Sequence, residues 1–144
     1  MKKLFLLFVA LCAVPVMAQK ITIEDPWIRA GAKDLNTGGF FVIKNNGDAA
    51  DTLYQFESSI AEVNQVHETY QQGDMMGMRE TKQIVIPAKS EFVFKPGSFH
   101  IMFIKLKKDI QNGTKQQFTL FFKQAGKIKV TAEVREMKKN QHKH

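Results

Sequence analysis

The segment from Lys127 to Arg135 constrains this chain more than any other. Ile128, Val130, Ala132 and Val134 alternate there with Lys127, Lys129, Thr131, Glu133 and Arg135. A period of two puts the first set on one face of an extended strand and the second on the other, whereas a helix would scatter both around its axis. One dry face and one wet face is the pattern of an antiparallel sheet packed on a single side. Phe118 to Phe122 comes just before it, across Gln124-Ala125-Gly126, which predicts a hairpin.

Strands and turns continue upstream. Phe40-Phe41-Val42-Ile43-Lys44-Asn45 is an apolar strand closed by Asn46-Gly47-Asp48, a tight-turn signal. Phe92-Val93-Phe94 runs into Lys95-Pro96-Gly97-Ser98, where Pro followed by Gly suits the centre of a type II turn, and Phe99 to Leu106 follows as another strand. Ser58 to Val63 is expected to hold a short helical turn. No long amphipathic helix, internal repeat or linker interrupts the pattern. At 144 residues, 44% of them hydrophobic, the chain has room for one domain and is too apolar to stay disordered. The expected fold is a single all-β domain, a small Greek-key sandwich or barrel. Such a fold hosts many activities and selects none of them.

Residues Met1 to Ala18 have the three-part layout of a secretory signal peptide. Lys2 and Lys3 precede an apolar run from Leu4 to Val14, and Val16-Met17-Ala18 follows Pro15 as the cleavage site. The run is shorter than the roughly 20 residues that a membrane-spanning helix needs. Cys12 raises a lipoprotein anchor, but Leu11 before it is too bulky for the usual lipoprotein cleavage site, so no membrane anchor is expected after cleavage. The folded domain is expected over residues 19–137, as a monomer, with 138–144 a mobile basic tail. Cleavage removes the only cysteine, which excludes a disulfide framework, a thiolate nucleophile, an iron–sulfur cluster and a cysteine zinc site. The net charge of +7 would ordinarily raise nucleic acid as a partner. Export argues against that and leaves steering toward acidic protein surfaces.

Histidine and methionine are unevenly placed. His67, Met75, Met76, Met78, His100 and Met102 all fall in one stretch, and three of the Met crowd into Gly73-Asp74-Met75-Met76-Gly77-Met78. Core methionines usually sit singly, filling gaps, whereas these lie in a Gly-punctuated polar segment that reads as a loop or strand end. His100-Ile101-Met102 puts two donors on one strand face, about 7 Å apart along the chain. His67, on the strand-like Val66 to Tyr70, offers a third donor from a neighbouring strand, and a loop Met a fourth. Two imidazoles and two thioethers make a soft, neutral set that selects Cu(I) over Zn, Mg or Ca. Thioethers also need no deprotonation, so only the histidines would make affinity depend on pH.

Each residue also has a plainer explanation. His67 alone reads as a surface or satisfied core histidine, Met102 alone as core packing, and Trp27 as a core residue by virtue of its apolar area. Met75 and Met76 alone are loop residues, and His142 and His144 belong to a solvated tail before they are auxiliary ligands. Only their joint spacing, His67-x10-Met78-x21-His100-x-Met102, outweighs these.

That spacing resembles the signature of the PCuAC family of periplasmic copper chaperones. Trp27-Ile28-Arg29, the stretch Gly39 to Asp48, Ile86-Pro87-Ala88, Lys95-Pro96-Gly97 and the closing strand Ile128 to Val134 look like that family too, so the resemblance runs from about Ile21 to Val134. It implies a cupredoxin-like β-fold, with the Cu(I) ligands on His67, Met78, His100 and Met102 and Cu(II) as a secondary ion. It also implies a non-enzymatic role: holding periplasmic copper for assembly of the dinuclear centre of cytochrome c oxidase. The implied partners are a copper-accepting oxidase subunit and a Sco-like copper protein. Lys89 stands where many members carry Gly. Thr69 lies where many have a further Met, a loss for which Met75 and Met76 are the available replacements.

Two alternatives belong to other classes. A blue-copper electron carrier needs a cysteine thiolate that the mature chain lacks. A structural or adhesive β-sandwich would make the spacing a coincidence. The geometry separates them, because His100 and Met102 turned into the apolar core, away from His67, would abolish the site.

Overall fold

The computed structural model describes residues 20–137. The expected signal peptide over residues 1–18, the basic tail and both its histidines, His142 and His144, therefore lie outside the described residues.

The described residues form ten strands: β1 (Ile21–Arg29), β2 (Thr37–Asn45), β3 (Asp51–Glu57), β4 (Ala61–Gln72), β5 (Met75–Glu80), β6 (Ile84–Ile86), β7 (Ser90–Phe94), β8 (Phe99–Leu106), β9 (Lys115–Phe122) and β10 (Gly126–Arg135). They form one hydrogen-bonded path, β5-β4-β8-β2-β1-β10-β9-β3-β6, with β7 on the far half of β2. Every pairing is antiparallel except β1 with β10. Among consecutive strands only β1–β2, β4–β5 and β9–β10 adjoin, and most of the other connections run between strands distant along the path, as in Greek-key sandwiches.

The path folds over a core of phenylalanine and branched aliphatic side chains. Phe118 on β9 meets Phe41 of β2, Phe56 of β3 and Phe103 of β8, with ring centroids 5.8, 6.2 and 6.1 Å apart. The alternation read on the last strand holds, since Val130, Ala132 and Val134 are buried while Lys129, Thr131 and Glu133 are exposed. The predicted hairpin forms in register from Gly126 opposite Phe122 to Glu133 opposite Lys115. Buried Asp51 pins its turn, accepting from the Gln124 and Ala125 amides at 2.8 Å each.

Two expectations are corrected. Ser58 to Val63 holds no helical turn. A bend at Ser59 and Ile60 leads straight into β4, because Ala61 and Val66 must face the core while the strand pairs with β8. At the Asn46-Gly47-Asp48 signal the chain bends over residues 47–49 and leads from β2 to β3, which lie in different parts of the path. Trp27 is not a core residue. Its neighbour Ile28 is fully buried, so alternation turns Trp27 to the outer face, where it packs on Phe40 with centroids 4.5 Å apart.

The Lys95–Ser98 turn is as predicted: Gly97 has φ +81° and the Ser98 amide donates to the Lys95 carbonyl at 3.1 Å. It connects β7 and β8, which pair with β2 rather than with each other. Gly39 lets β2 approach β8, because a Cβ there would lie 2.7 Å from Ile101 and 3.0 Å from Phe103.

Candidate metal centre

The site lies on the outer face of the β5-β4-β8-β2-β1 leaf. Along β8, Ile101 and Phe103 are fully buried in the core. His100 and Met102, alternate with them, face outward. His67 of β4 lies directly opposite His100, with ring centroids 5.8 Å apart, and Gln65 lies opposite Met102. Across the other edge of β4, Met78 of β5 faces Thr69 and Glu80 faces His67. Residues paired across antiparallel strands share a face, so His67, Met78, His100 and Met102 all stand on one side of the sheet.

Depth separates them. His100 is only 5% exposed, covered on one side by Phe40, with centroids 6.4 Å apart. Met78, on the terminal strand, is 57% exposed. Met78, His100 and Met102 line one open cavity of about 140 Å³, together with Thr69, Phe40 and Arg29. His67 adjoins that cavity through His100 and is not part of its lining. The rim of the cavity is thus exposed and His100 at its floor is not.

Hydrogen bonds assign the tautomers. His100 Nδ1 is 3.1 Å from the Ser98 carbonyl, which can only accept, so Nδ1 donates and Nε2 is the nitrogen left for a ligand. His67 Nε2 is 2.9 Å from Gln65 Oε1, so there Nε2 carries the proton and the lone pair is on Nδ1. His67 Nδ1 is buried and has no hydrogen-bond partner. Such an atom is costly unless something occupies its lone pair. Burial first, then the neighbouring His100, push His67 below its ordinary value, with Glu80 opposing, which favours the neutral imidazole that a metal requires. Among the described residues no group of three His, Cys, Asp or Glu side chains comes together. The donors that do converge are imidazoles and thioethers.

Register also sorts the two loop methionines. Met76 pairs with Gln71, two residues along from Thr69, and so shares the face of Met78. Met75 falls on the opposite face, the one on which Arg79 bonds Glu68 at 2.8 Å and lies over the Tyr70 ring. The Gly73-Asp74 segment is a two-residue hairpin turn with Gly73 at φ +59°, so these methionines belong to a strand and not a loop.

Several residues of the site escaped the sequence reading. Phe40 and Gly38 lie beneath the cavity because β2 runs under it, and a Cβ on Gly38 would come within 3.0 Å of the Phe40 ring. Arg29 lines it from β1, and Pro96 and Gly97 from the turn before β8. Pro96-Gly97 reads in the sequence as a turn and Phe40 as part of a strand, and nothing in the local pattern ties them, Arg29 or Gly38 to the site.

Known proteins resemble this chain over most of its length. The family model described as "Putative lipoprotein LpqE-like" matches residues 21–134. A putative lipoprotein of Leifsonia xyli subsp. xyli is 30% identical over 120 residues, covering 83% of this chain and 72% of its own length. Among solved structures, the copper-bound PCuAC domain from PmoF2 is 25% identical, with a TM-score of 0.69 over 82% of this chain and 94% of that one. A Cu(I)-loaded protein of Deinococcus radiodurans, 22% identical with a TM-score of 0.60 over 88% and 82% of the two chains, shares the fold. The all-β architecture is thus the cupredoxin-like one of the PCuAC domains. The chain belongs to the LpqE-like family, which is the family of the PCuAC domains.

Proposed function

We propose that this protein is a copper(I) carrier that holds its ion between His67, Met78, His100 and Met102 and releases it by ligand exchange. Kinship with PCuAC domains, one of them solved with copper bound, supports a copper-chaperone role, which is not an enzymatic one. The observation that carries the finer assignment is the direct cross-strand pairing of His67 with His100, flanked on the same face by both thioethers. Neutral, soft donors favour Cu(I) over Cu(II), Zn or Ca. Each imidazole already has one nitrogen fixed as a donor and the other free.

The gradient in depth orders the exchange. Met78, exposed on the edge strand, is the ligand that an incoming donor displaces first, and His100 on the floor lets go last. Neither thioether takes up a proton on leaving, so transfer needs no acid or base. The destination follows from the family resemblance: the dinuclear copper centre of cytochrome c oxidase, reached beside a Sco-like partner, in the periplasm. The family and the Leifsonia relative carry the description of putative lipoproteins, which supports export. Intact mass of the exported protein separates cleavage after Ala18 from lipid attachment at Cys12.

The test of the site is anaerobic Cu(I) titration against a competing chelator, with a His100→Ala, Met102→Ala double variant alongside. One tight equivalent, weakened about a hundredfold or more in a variant that still folds, is expected. Binding that survives the double change would move the site elsewhere. No tight binding by the wild type would leave the adhesive sandwich as the better account.

A further inference from the structure

Arg29 and Arg135 lie side by side on the parallel pair β1–β10, yet their situations differ. Arg135 is committed: its guanidinium holds Asp25 at 2.7 Å and Glu133 at 3.2 Å and lies over Trp27. Arg29 is exposed and lines the cavity with Met78, His100 and Met102. Among the described residues its side chain has no ion pair and no hydrogen bond, and its backbone carbonyl accepts from the Thr37 hydroxyl at 2.8 Å. No Asp or Glu is among the residues lining the cavity. Asn36, Thr37 and Thr69 are its other polar members.

This is an unusual surround for a cation. Four neutral ligands leave the charge of a bound Cu(I) uncompensated, and Arg29 adds a second positive charge beside it. Both charges are relieved by one anion entering the mouth. A planar guanidinium fork matches a carboxylate better than any other common protein anion. We infer that Arg29 forms a carboxylate-binding subsite at the cavity mouth, which seats an acidic side chain of the copper-accepting protein next to the ion. The proposal rests on the copper reading for its purpose but not for the anion site itself. It gives the positive charge of the chain a specific point of action: acidic acceptors are drawn to Arg29, the cation that lines the cavity among the described residues.

Two measurements test it on the full mature chain. In the first, the apo protein is titrated with sodium acetate, with sodium chloride at equal ionic strength as the control, while the Arg29 side-chain NH and the Gly38 and Met102 amides are followed by NMR. Saturable shifts with acetate, absent in Arg29→Gln and not reproduced by chloride, are expected. Their absence in the wild type overturns the subsite whatever the metal result. In the second, Cu(I)-loaded protein is mixed with bicinchoninate, a dicarboxylate chelator, or with neocuproine, an uncharged one. Arg29→Gln is expected to slow transfer to bicinchoninate by about tenfold at low salt and to leave the neocuproine rate unchanged. Raising the salt to about 1 M, where the Debye length is ~3 Å, should erase the difference. Equal slowing with both chelators would make Arg29 a structural residue and overturn the proposal. A wild type that binds acetate but no Cu(I) would overturn the carrier function while leaving the anion site standing.

Discussion

The β9–β10 hairpin and the β4–β5 hairpin are built from the same element and used in opposite ways. In β9–β10 nearly every inward position is filled by a buried apolar side chain, from Phe118, Leu120 and Phe122 to Val130, Ala132 and Val134. In β4–β5 only Ala61 and Val66 are buried, no residue of β5 is, and the outer face carries His67, Met76 and Met78. The first hairpin closes the core. The second projects from it at the end of the sheet path, where thioethers can be reached from solvent. A carrier needs both: a frame that does not move, and donors held on an element whose own burial contributes little.

Substitutions should divide along that line. The largest effect on stability is expected from Phe118→Ala, at about 3–5 kcal/mol, because Phe118 joins three other phenylalanine rings across both leaves. Denaturant unfolding measures it, and a loss under about 1 kcal/mol would mean that the core is not organised around this ring. On the other hairpin, Met78→Leu should leave the unfolding midpoint within about 0.5 kcal/mol while weakening Cu(I) binding. A stability loss comparable to that of Phe118→Ala would break the comparison outright.

Acid should act on the second hairpin through His67. The unfolded chain takes up that proton near the ordinary histidine value of 6.5, whereas the folded protein, where burial and His100 oppose the charge, takes it up only at lower pH. The contribution of His67 is therefore complete above pH 6.5 and is lost as the pH falls toward the folded value. His67→Gln should flatten this part of the stability profile, and unfolding followed between about pH 7 and 5 reads it directly. Identical slopes in the two proteins would show that His67 is not the residue responsible.

The smallest effect sharpens the comparison within β5 itself. Met76→Leu, on the site face, should lower the rate of Cu(I) capture by a few-fold, and Met75→Leu, on the opposite face, should not. Stopped-flow loading of the two variants distinguishes them, and equal effects would mean that the strand register does not control access.

Much of this was legible before any coordinates. The alternation from Lys127 to Arg135 and the turn signals at Gln124-Ala125-Gly126 and Pro96-Gly97 gave strand positions and an all-β fold, because side-chain direction along a strand is a local property of the backbone. The spacing of His100 and Met102 placed both on one face of one strand for the same reason. Local pattern failed where the partner of a strand mattered. The Asn46-Gly47-Asp48 signal marks where β2 ends but does not tell that β3 pairs with β9 rather than with β2. Trp27 reads as core until its neighbour Ile28 takes the inward position.

The sequence by itself thus determined the donor chemistry, soft and free of thiolate, and the faces within each strand. Tertiary structure alone decided that His67 stands across from His100, that Met76 and not Met75 shares their side, and that Arg29 comes to a cavity that no Asp or Glu lines among the described residues. These facts depend on register between strands distant in sequence. Register is set by how the whole set of buried side chains fits together, and no local stretch of residues records it.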